Sequence, residues 1–256
     1  MNLILDDIKQ YKSKSQRARV MTESWVEHNM FCPICGNPML EHYIANRPVA
    51  DFFCPQCNAD YELKSQERNC ITFNGIIPDG CYSTMIERIT SLKNPNLFIL
   101  THYDQLVNNL IFIPNFFFIP EIIIKRPPLK ETARRAGWVG CNIDIGKIPQ
   151  NAKIFIIADG HISDPKKVHE NYNRILSLKT DKLQSRGWLI DTMNCINKIQ
   201  SEIFSLRELY SFENALKIKY PNNNFIKDKL RQQLQILRDK GFIEFVSPGN
   251  YKKITL

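Results

Sequence analysis

No stretch of this chain stays apolar long enough to cross a bilayer. The most apolar run, 110–124, is cut by Pro114 and Pro120 and falls short of the roughly 20 residues a spanning helix needs. The opening Met1-Asn2-Leu3-Ile4-Leu5-Asp6-Asp7 has neither the basic segment nor the apolar core of a signal peptide, so neither export nor a membrane partner is expected. Acidic residues are in deficit, 26 Asp and Glu against 34 Lys and Arg, and the formal net charge of +8 suits a polyanionic partner. Isolated cysteines are few. Cys70, Cys81, Cys141 and Cys195 read as small buried hydrophobes rather than a disulfide framework, and a reducing cytoplasm is the expected compartment. What is present is a globular composition, 43% hydrophobic and 11% aromatic over 256 residues, enough for one large or two small domains.

The other four cysteines form two matched pairs, Cys32-Pro33-Ile34-Cys35-Gly36 and Cys54-Pro55-Gln56-Cys57-Asn58. Each pair has proline after its first cysteine and a turn-former after its second. Eighteen residues separate the pairs, a spacing that predicts a four-thiolate, ribbon-type zinc site rather than a redox dithiol. A closed shell of this kind leaves no position for substrate, so the predicted role is mechanical.

The second pair falls between Asp51 and Glu62, and there the chain carries its chemistry. Residues 49–53 and 61–64 both read as short strands, which a turn would join as a hairpin. Side chains two apart on a strand share a face, so Glu62 and Lys64 point the same way while Leu63 faces inward, with Asp51 opposite. Two carboxylates held close favour a hard cation such as magnesium between them, and the backbone carbonyl of Leu63 is a further candidate ligand. The Lys64 ammonium can orient a water or balance charge on phosphate oxygens. Asn46-Arg47-Pro48-Val49-Ala50-Asp51 followed by Glu62-Leu63-Lys64 is the Pro-Asp…Glu-x-Lys pattern of metal-dependent nucleases, with Val-Ala inserted after the proline. Taken alone, that pattern is also met in ordinary charged hairpins.

Along the chain, residues 4–30 read as helical with a break at 13–19, and 74–80 as a turn-rich loop. Residues 82–92 follow as an amphipathic helix, and 97–101 and 107–113 as buried strands of one central mixed sheet. Arg134, Arg135 and Trp138 lie on a loop, two guanidinium groups beside an indole, suited either to DNA contact or to salt bridges around a core tryptophan. A buried strand at 154–160 and a helix at 164–178 complete this part. The short polar stretch 180–185 marks a domain boundary, giving domains 1–183 and 184–256.

Beyond it come a helix from Trp188, a short strand at Phe204, a helix from Ser205 to about Lys219 opened by a capping box with Glu208, a helix with apolar Ile226, Leu230, Leu234 and Leu237, and a hairpin turning at 247–250. That order is a winged helix-turn-helix. Lys227, Lys229, Arg231, Gln232 and Gln235 on the third helix suit base edges and phosphates, and Lys252 and Lys253 on the wing suit the neighbouring backbone. From 184 onward 12 Lys and Arg stand against 7 Asp and Glu, so most of the excess charge lies here.

Lys14-Ser15-Gln16-Arg17-Ala18-Arg19, the first cysteine pair, 46–52, Glu62-Leu63-Lys64-Ser65, Thr132-Ala133-Arg134-Arg135-Ala136-Gly137-Trp138, Ser185-Arg186-Gly187-Trp188 and 226–240 together resemble the DpnI family of restriction endonucleases, over nearly the whole chain. The resemblance implies an α/β PD-(D/E)xK nuclease domain with an embedded four-cysteine zinc site, followed by a winged helix-turn-helix domain. It further implies magnesium-dependent cleavage of double-stranded DNA at GATC sites carrying 6-methyladenine. A monomer in solution is expected. The rival expectation is a non-enzymatic DNA-binding regulator, a zinc ribbon joined to a winged helix; a second rival keeps the nuclease but reads unmethylated GATC.

Overall fold

The computed structural model describes residues 2–3, 13–44, 50–68 and 75–254. In chain order these form α1 (Lys14–Asn29), β1 (Glu41–His42), β2 (Phe52–Phe53), β3 (Asp60–Glu67), β4 (Ile76–Cys81), α2 (Tyr82–Thr90), β5 (Asn96–Tyr103), β6 (Leu106–Ile113), β7 (Ile123–Lys125), β8 (Gly140–Asp144), β9 (Ile154–Ala158), β10 (His161–Ile162) and α3 (Pro165–Leu176). Then come α4 (Leu183–Lys198), β11 (Ile203–Ser205), α5 (Leu206–Tyr210), α6 (Glu213–Lys219), α7 (Ile226–Asp239), β12 (Ile243–Ser247) and β13 (Asn250–Lys253).

The central sheet has seven strands in the order β1-β2-β3-β5-β6-β9-β10. Its middle strands are buried on both faces, as their unbroken apolar runs require: Leu97, Phe98, Ile99 and Leu100 on β5 lie beside Leu110, Ile111, Phe112 and Ile113 on β6. β3 runs parallel to β5, with Glu62 level with Leu97 and Lys64 with Ile99, while β2 pairs antiparallel with β3 as the expected hairpin. The Asn96 side chain fixes the start of that parallel pair, donating to the Asp60 carbonyl at 3.0 Å and accepting from the Asn115 amide at 3.0 Å.

Three expectations are corrected. The turn-rich loop expected at 74–80 is, from Ile76, strand β4, at the edge of a second sheet ordered β4-β8-β7, where Pro78 is tolerated because an edge strand need not donate on both sides. Of the 13–19 stretch expected to break the helix, only Ser13 is non-helical: it is the N-cap of α1, its hydroxyl accepting from the Gln16 amide at 3.1 Å, and 14–19 form the first turns of that helix. The expected single helix from Ser205 to Lys219 is two, α5 and α6. The Ser211 hydroxyl donates to the Glu208 carbonyl at 2.6 Å and its amide turns back to the same group, which closes α5 early. The expected helical residues 4–12, the 46–49 part of the motif and Cys70 lie outside the described residues.

In the last part the third sheet is ordered β11-β13-β12, and Leu209, Leu216, Ile226, Leu230, Leu234 and Leu237 pack beneath it. Two helical segments, a third long helix and a terminal hairpin make the winged helix-turn-helix arrangement. The capping box is present as read, with Ser205 and Glu208 bonding reciprocally. α4 leans on both parts of the molecule. Its Trp188 stacks on Tyr220 at 3.9 Å, and its buried Arg186 donates to the carbonyls of Phe118 and Ile89 at 3.2 and 3.5 Å.

Candidate active site, metal centre and nucleic-acid interface

The two cysteine pairs fold into matched turns. In each, the residue after the second cysteine takes a left-handed backbone, Gly36 at φ 76° and Asn58 at φ 57°, and its amide donates 2.9 Å back to the carbonyl of the first cysteine. This curls both thiols of a pair to one side. The four sulfurs of Cys32, Cys35, Cys54 and Cys57 all lie within 4.8 Å of one another, the one group of three or more Cys, His, Asp or Glu to converge so among the described residues. Cys32 and Cys57 are 3.6 Å apart, as are Cys35 and Cys54, close to the roughly 3.8 Å edge of a tetrahedral zinc–thiolate site. The donor set and its spacing fit a structural zinc.

Burial acts to raise the Cys54 thiol, but donation from the backbone amides of Cys57 and Gln56 outweighs it and brings Cys54 down to about 7. Cys32 is pushed up to about 11, chiefly by burial. Sequence reasoning missed two supports of this centre. The Tyr61 hydroxyl sits 3.0 Å from the Cys32 sulfur while its ring stacks on Phe98 at 4.8 Å, and the Asn37 amide reaches the Cys54 sulfur at 3.7 Å. A tyrosine next to the Glu-x-Lys triplet was the available signal. Of the isolated cysteines, Cys141 and Cys195 are buried as expected, whereas Cys81 is only partly covered, because it occupies the N-cap of α2 where the chain leaves the edge strand.

Glu62 and Lys64 share a face of β3, as their spacing demands, and form an ion pair of 2.7 Å. The structure adds two partners that the sequence did not suggest. Lys64 Nζ also bonds Asp79 Oδ1 at 2.8 Å, from β4 in the second sheet, and Arg88 of α2 lies 3.6 Å from Glu62 Oε2. Burial opposes the charge on Lys64, but the flanking carboxylates of Glu62 and Asp79 outweigh it and hold the ammonium above its ordinary range. Burial is also the main influence on Glu62, raising its carboxyl against the pull of Lys64 and Arg88.

Asp51 stands at the other end of the hairpin connection. Its amide donates to the Tyr61 carbonyl at 2.9 Å, and its Oδ2 accepts from the Leu63 amide at 2.7 Å, so the carboxylate is anchored to the backbone between Glu62 and Lys64. Its oxygens do not join those of Glu62 and Asp79 in one cluster within 4.8 Å.

Trp138 is half-buried, with the Arg135 guanidinium 4.7 Å and the Arg126 guanidinium 5.6 Å from its ring, while Arg134 and Arg135 are exposed. The loop carrying them is closed by hydrogen bonds between Leu129 and both Gly137 and Trp138. Along α7, Arg231, Gln232 and Gln235 face outward. Lys227 pairs with Glu213 at 3.2 Å, Lys229 donates to the Gln232 side chain at 2.6 Å, and Arg231 reaches the Tyr210 hydroxyl at 2.5 Å. On the wing, Lys252 lies 3.6 Å from Glu202, whereas Lys253 turns inward to the Ile199 carbonyl. None of the described helices is long and apolar enough to cross a membrane.

A family model described as the Dam-replacing family, DpnI, matches residues 1–181, and a second, the Dam-replacing HTH domain of the same family, matches residues 184–253. With nearly every residue covered by these two adjoining matches, the chain belongs to the DpnI family.

Proposed function

We propose that this protein is a magnesium-dependent, type II endonuclease that cleaves double-stranded DNA at GATC sites carrying 6-methyladenine. In this reading 1–183 is a PD-(D/E)xK nuclease domain, 184–256 is a winged-helix DNA-binding domain, and the enzyme works as a monomer in the cytoplasm. The observation that carries it is the half-buried Glu62–Lys64 pair on one face of a strand in the central sheet, beside the anchored Asp51. Family membership supplies the context.

The donors suit a hard cation: carboxylates at Asp51 and Glu62, the Leu63 carbonyl, and nearby a buried Asp79 oxygen with no hydrogen-bond partner. Magnesium bound by Asp51, Glu62 and Leu63 would supply Lewis acidity and an acidified water for attack on phosphorus. Lys64 has three ammonium hydrogens, and two are engaged by Glu62 and Asp79. The third is free to hold a water or a non-bridging phosphate oxygen and to offset the charge that gathers there. The zinc cluster pins the turn between β2 and β3, and so sets where Asp51 stands relative to Glu62.

The half-buried Trp138, with the Arg126 and Arg135 guanidinium groups near its ring and Arg134 alongside, offers apolar surface for the methyl groups and cations for the phosphates. Lys227, Lys229, Arg231, Gln232 and Gln235 of α7, with Lys252 of the wing, form the second reading surface; Lys253, turned inward to the Ile199 carbonyl, has no part in it. Burying one methyl contributes on the order of 1 kcal/mol, so one pocket discriminates modestly and two modules reading in turn multiply the effect.

Digestion of methylated and unmethylated plasmid, with and without magnesium, tests the proposal. Cleavage of methylated DNA alone, dependent on magnesium, is expected. Binding without cleavage would identify the regulator instead, and cleavage of unmethylated GATC would identify the other specificity. Lys64→Ala should lower the cleavage rate by about a thousandfold while leaving binding in calcium nearly intact.

A further inference from the structure

Asp79 is the buried group at Lys64 for which the motif has no role. It lies outside Asp…Glu-x-Lys, on β4 of the second sheet, yet its carboxylate is only 5% exposed. Oδ1 takes the Lys64 ammonium at 2.8 Å and the Gly80 amide at 2.6 Å, while Oδ2 is sealed from water with no partner among the described residues. The backbone that presents it is held in turn. Arg126 donates to the Asp79 carbonyl at 3.2 Å, and the Arg126 guanidinium fills the space where a Cβ on Gly140 would stand. A hydrophobic side chain would fill this site at lower cost than a half-satisfied carboxylate, which points to a task for the charge.

We propose that Asp79 is a positioning residue: it holds the Lys64 ammonium in register when a divalent cation takes the Glu62 carboxylate. The inference deepens the hydrolytic reading of this site and rests on it. Lys64 is shared almost equally between the two acids, at 2.7 and 2.8 Å. A cation arriving at Glu62 competes for the same oxygens and repels the ammonium. A lysine on a flexible four-carbon stem then leaves the site unless a second anion retains it. Asp79 approaches from a different sheet, so its hold on Lys64 does not depend on the oxygens of Glu62. The charges balance accordingly: Glu62 and Asp79 face Lys64 and Arg88 before a cation arrives.

The test separates binding from turnover. Asp79→Asn keeps the volume and the acceptor for Gly80 but removes the charge. Single-turnover cleavage of a methylated GATC duplex in magnesium should fall about 10- to 100-fold, while the dissociation constant of that duplex in calcium stays within about twofold. Asp79→Glu, which keeps the charge one methylene further out, should recover part of the lost rate. Wild-type cleavage by Asp79→Asn, or a loss of binding in proportion to cleavage, would overturn the inference. If Asp79→Asn fails to melt cooperatively, Asp79→Glu carries the test: an intermediate rate with intact binding supports the role, and an unchanged rate overturns it. A wild-type protein that binds the duplex but never cuts it with magnesium sinks the hydrolytic reading itself, a result distinct from wild-type cleavage that Asp79 variants leave untouched.

Discussion

Between Cys32 and Lys64 the structure closes around four sulfurs and the Tyr61 hydroxyl; between Ser205 and Lys253 it closes around Leu209, Leu216, Ile226, Leu230, Leu234 and Leu237. In the first region β1 and β2 are two residues each, too short to be stable as sheet by themselves, and a four-sulfur cluster able to hold an ion lies beside the buried side chains of Leu40, Phe52 and Tyr61. In the second, apolar residues at helical spacing and a reciprocal cap hold the fold, and no group of metal-ligating side chains converges there among the described residues. The proposed site lies in the first region, where Asp51 meets the Leu63 amide and cysteines far apart in the chain converge. Cys54 and Cys57 lie inside the connection from Asp51 to Leu63, so a metal held by the four sulfurs would fix that connection and keep Asp51 against the Leu63 amide.

The largest effect should come from breaking that clamp. Replacing Cys54 and Cys57 with alanine removes half of the sulfur set, and zinc-thiolate sites hold small folds together by roughly 10 kcal/mol. Metal analysis should show the bound zinc lost, and amide exchange should show the β2–β3 connection unprotected, while α7 and the wing keep their protection. Loss of protection across both regions would mean that the two are not independent in the way drawn above. Retained zinc would mean that the four sulfurs are not its ligands.

The same contrast explains what could be read from residues alone. The winged-helix part was legible because each of its signals is local: Ser205 and Glu208 are three apart, Ile226 to Leu237 repeat on one helical face, and Gly241 at φ 73° ends the helix. The zinc site was legible because two cysteine pairs are a rare spacing, and the Glu62–Lys64 pair because period two on a strand is unambiguous. Asp79 was not legible. Nothing within β4 announces that its edge strand, read as a loop from Gly75, Pro78 and Gly80, packs an acid against a lysine fifteen positions earlier. Arg88, Arg126 and Tyr61 escaped for the same reason: their partners are set by how sheets and helices stack. The break at Ser211 escaped because a hydroxyl that turns back on its own helix looks, in sequence, like any serine on an exposed face.

Next in size is the leucine core. Leu234 is fully buried on α7, and Leu234→Ala should destabilise the protein by about 2–5 kcal/mol in a denaturant titration. Ile34, half-buried between the cysteines of the first pair, should cost no more than about 1 kcal/mol when cut to alanine with zinc bound, because the ion and not the side chain holds that turn. Equal costs would erase the distinction between the regions. Smaller again is the cap: Ser205→Ala removes the acceptor for the Glu208 amide and should cost about 1 kcal/mol, read as a lowered midpoint for the winged-helix part with DNA cleavage at low temperature unchanged.

An effect of the opposite sign, a gain rather than a loss of stability, lies where the two parts of the molecule meet. A cavity of about 500 Å³ opens there, walled by Lys153 and Phe155 from β9 and the residues before it, by Met193 and Ile196 of α4, and by Leu237, Phe242 and Lys253. Lys153 is buried against this wall, and burial brings its ammonium down to about 8, the nearby Asp144 opposing only part of the shift. A lysine lowered in the folded state is a burden below pH 8, where both folded and unfolded chains carry the charge but only the folded one buries it. Between pH 8 and the ordinary lysine range the unfolded chain binds the extra proton, so this residue's contribution to stability rises with pH and then levels off. Lys153→Met keeps the apolar stem and deletes the charge. Its melting temperature should exceed that of the unaltered protein at pH 7, and the gap should close as pH rises through 8 towards 10. A gap that is constant with pH would show that the methionine acts by packing alone, and a gap of opposite sign would show that the ammonium holds the two parts together rather than straining their contact.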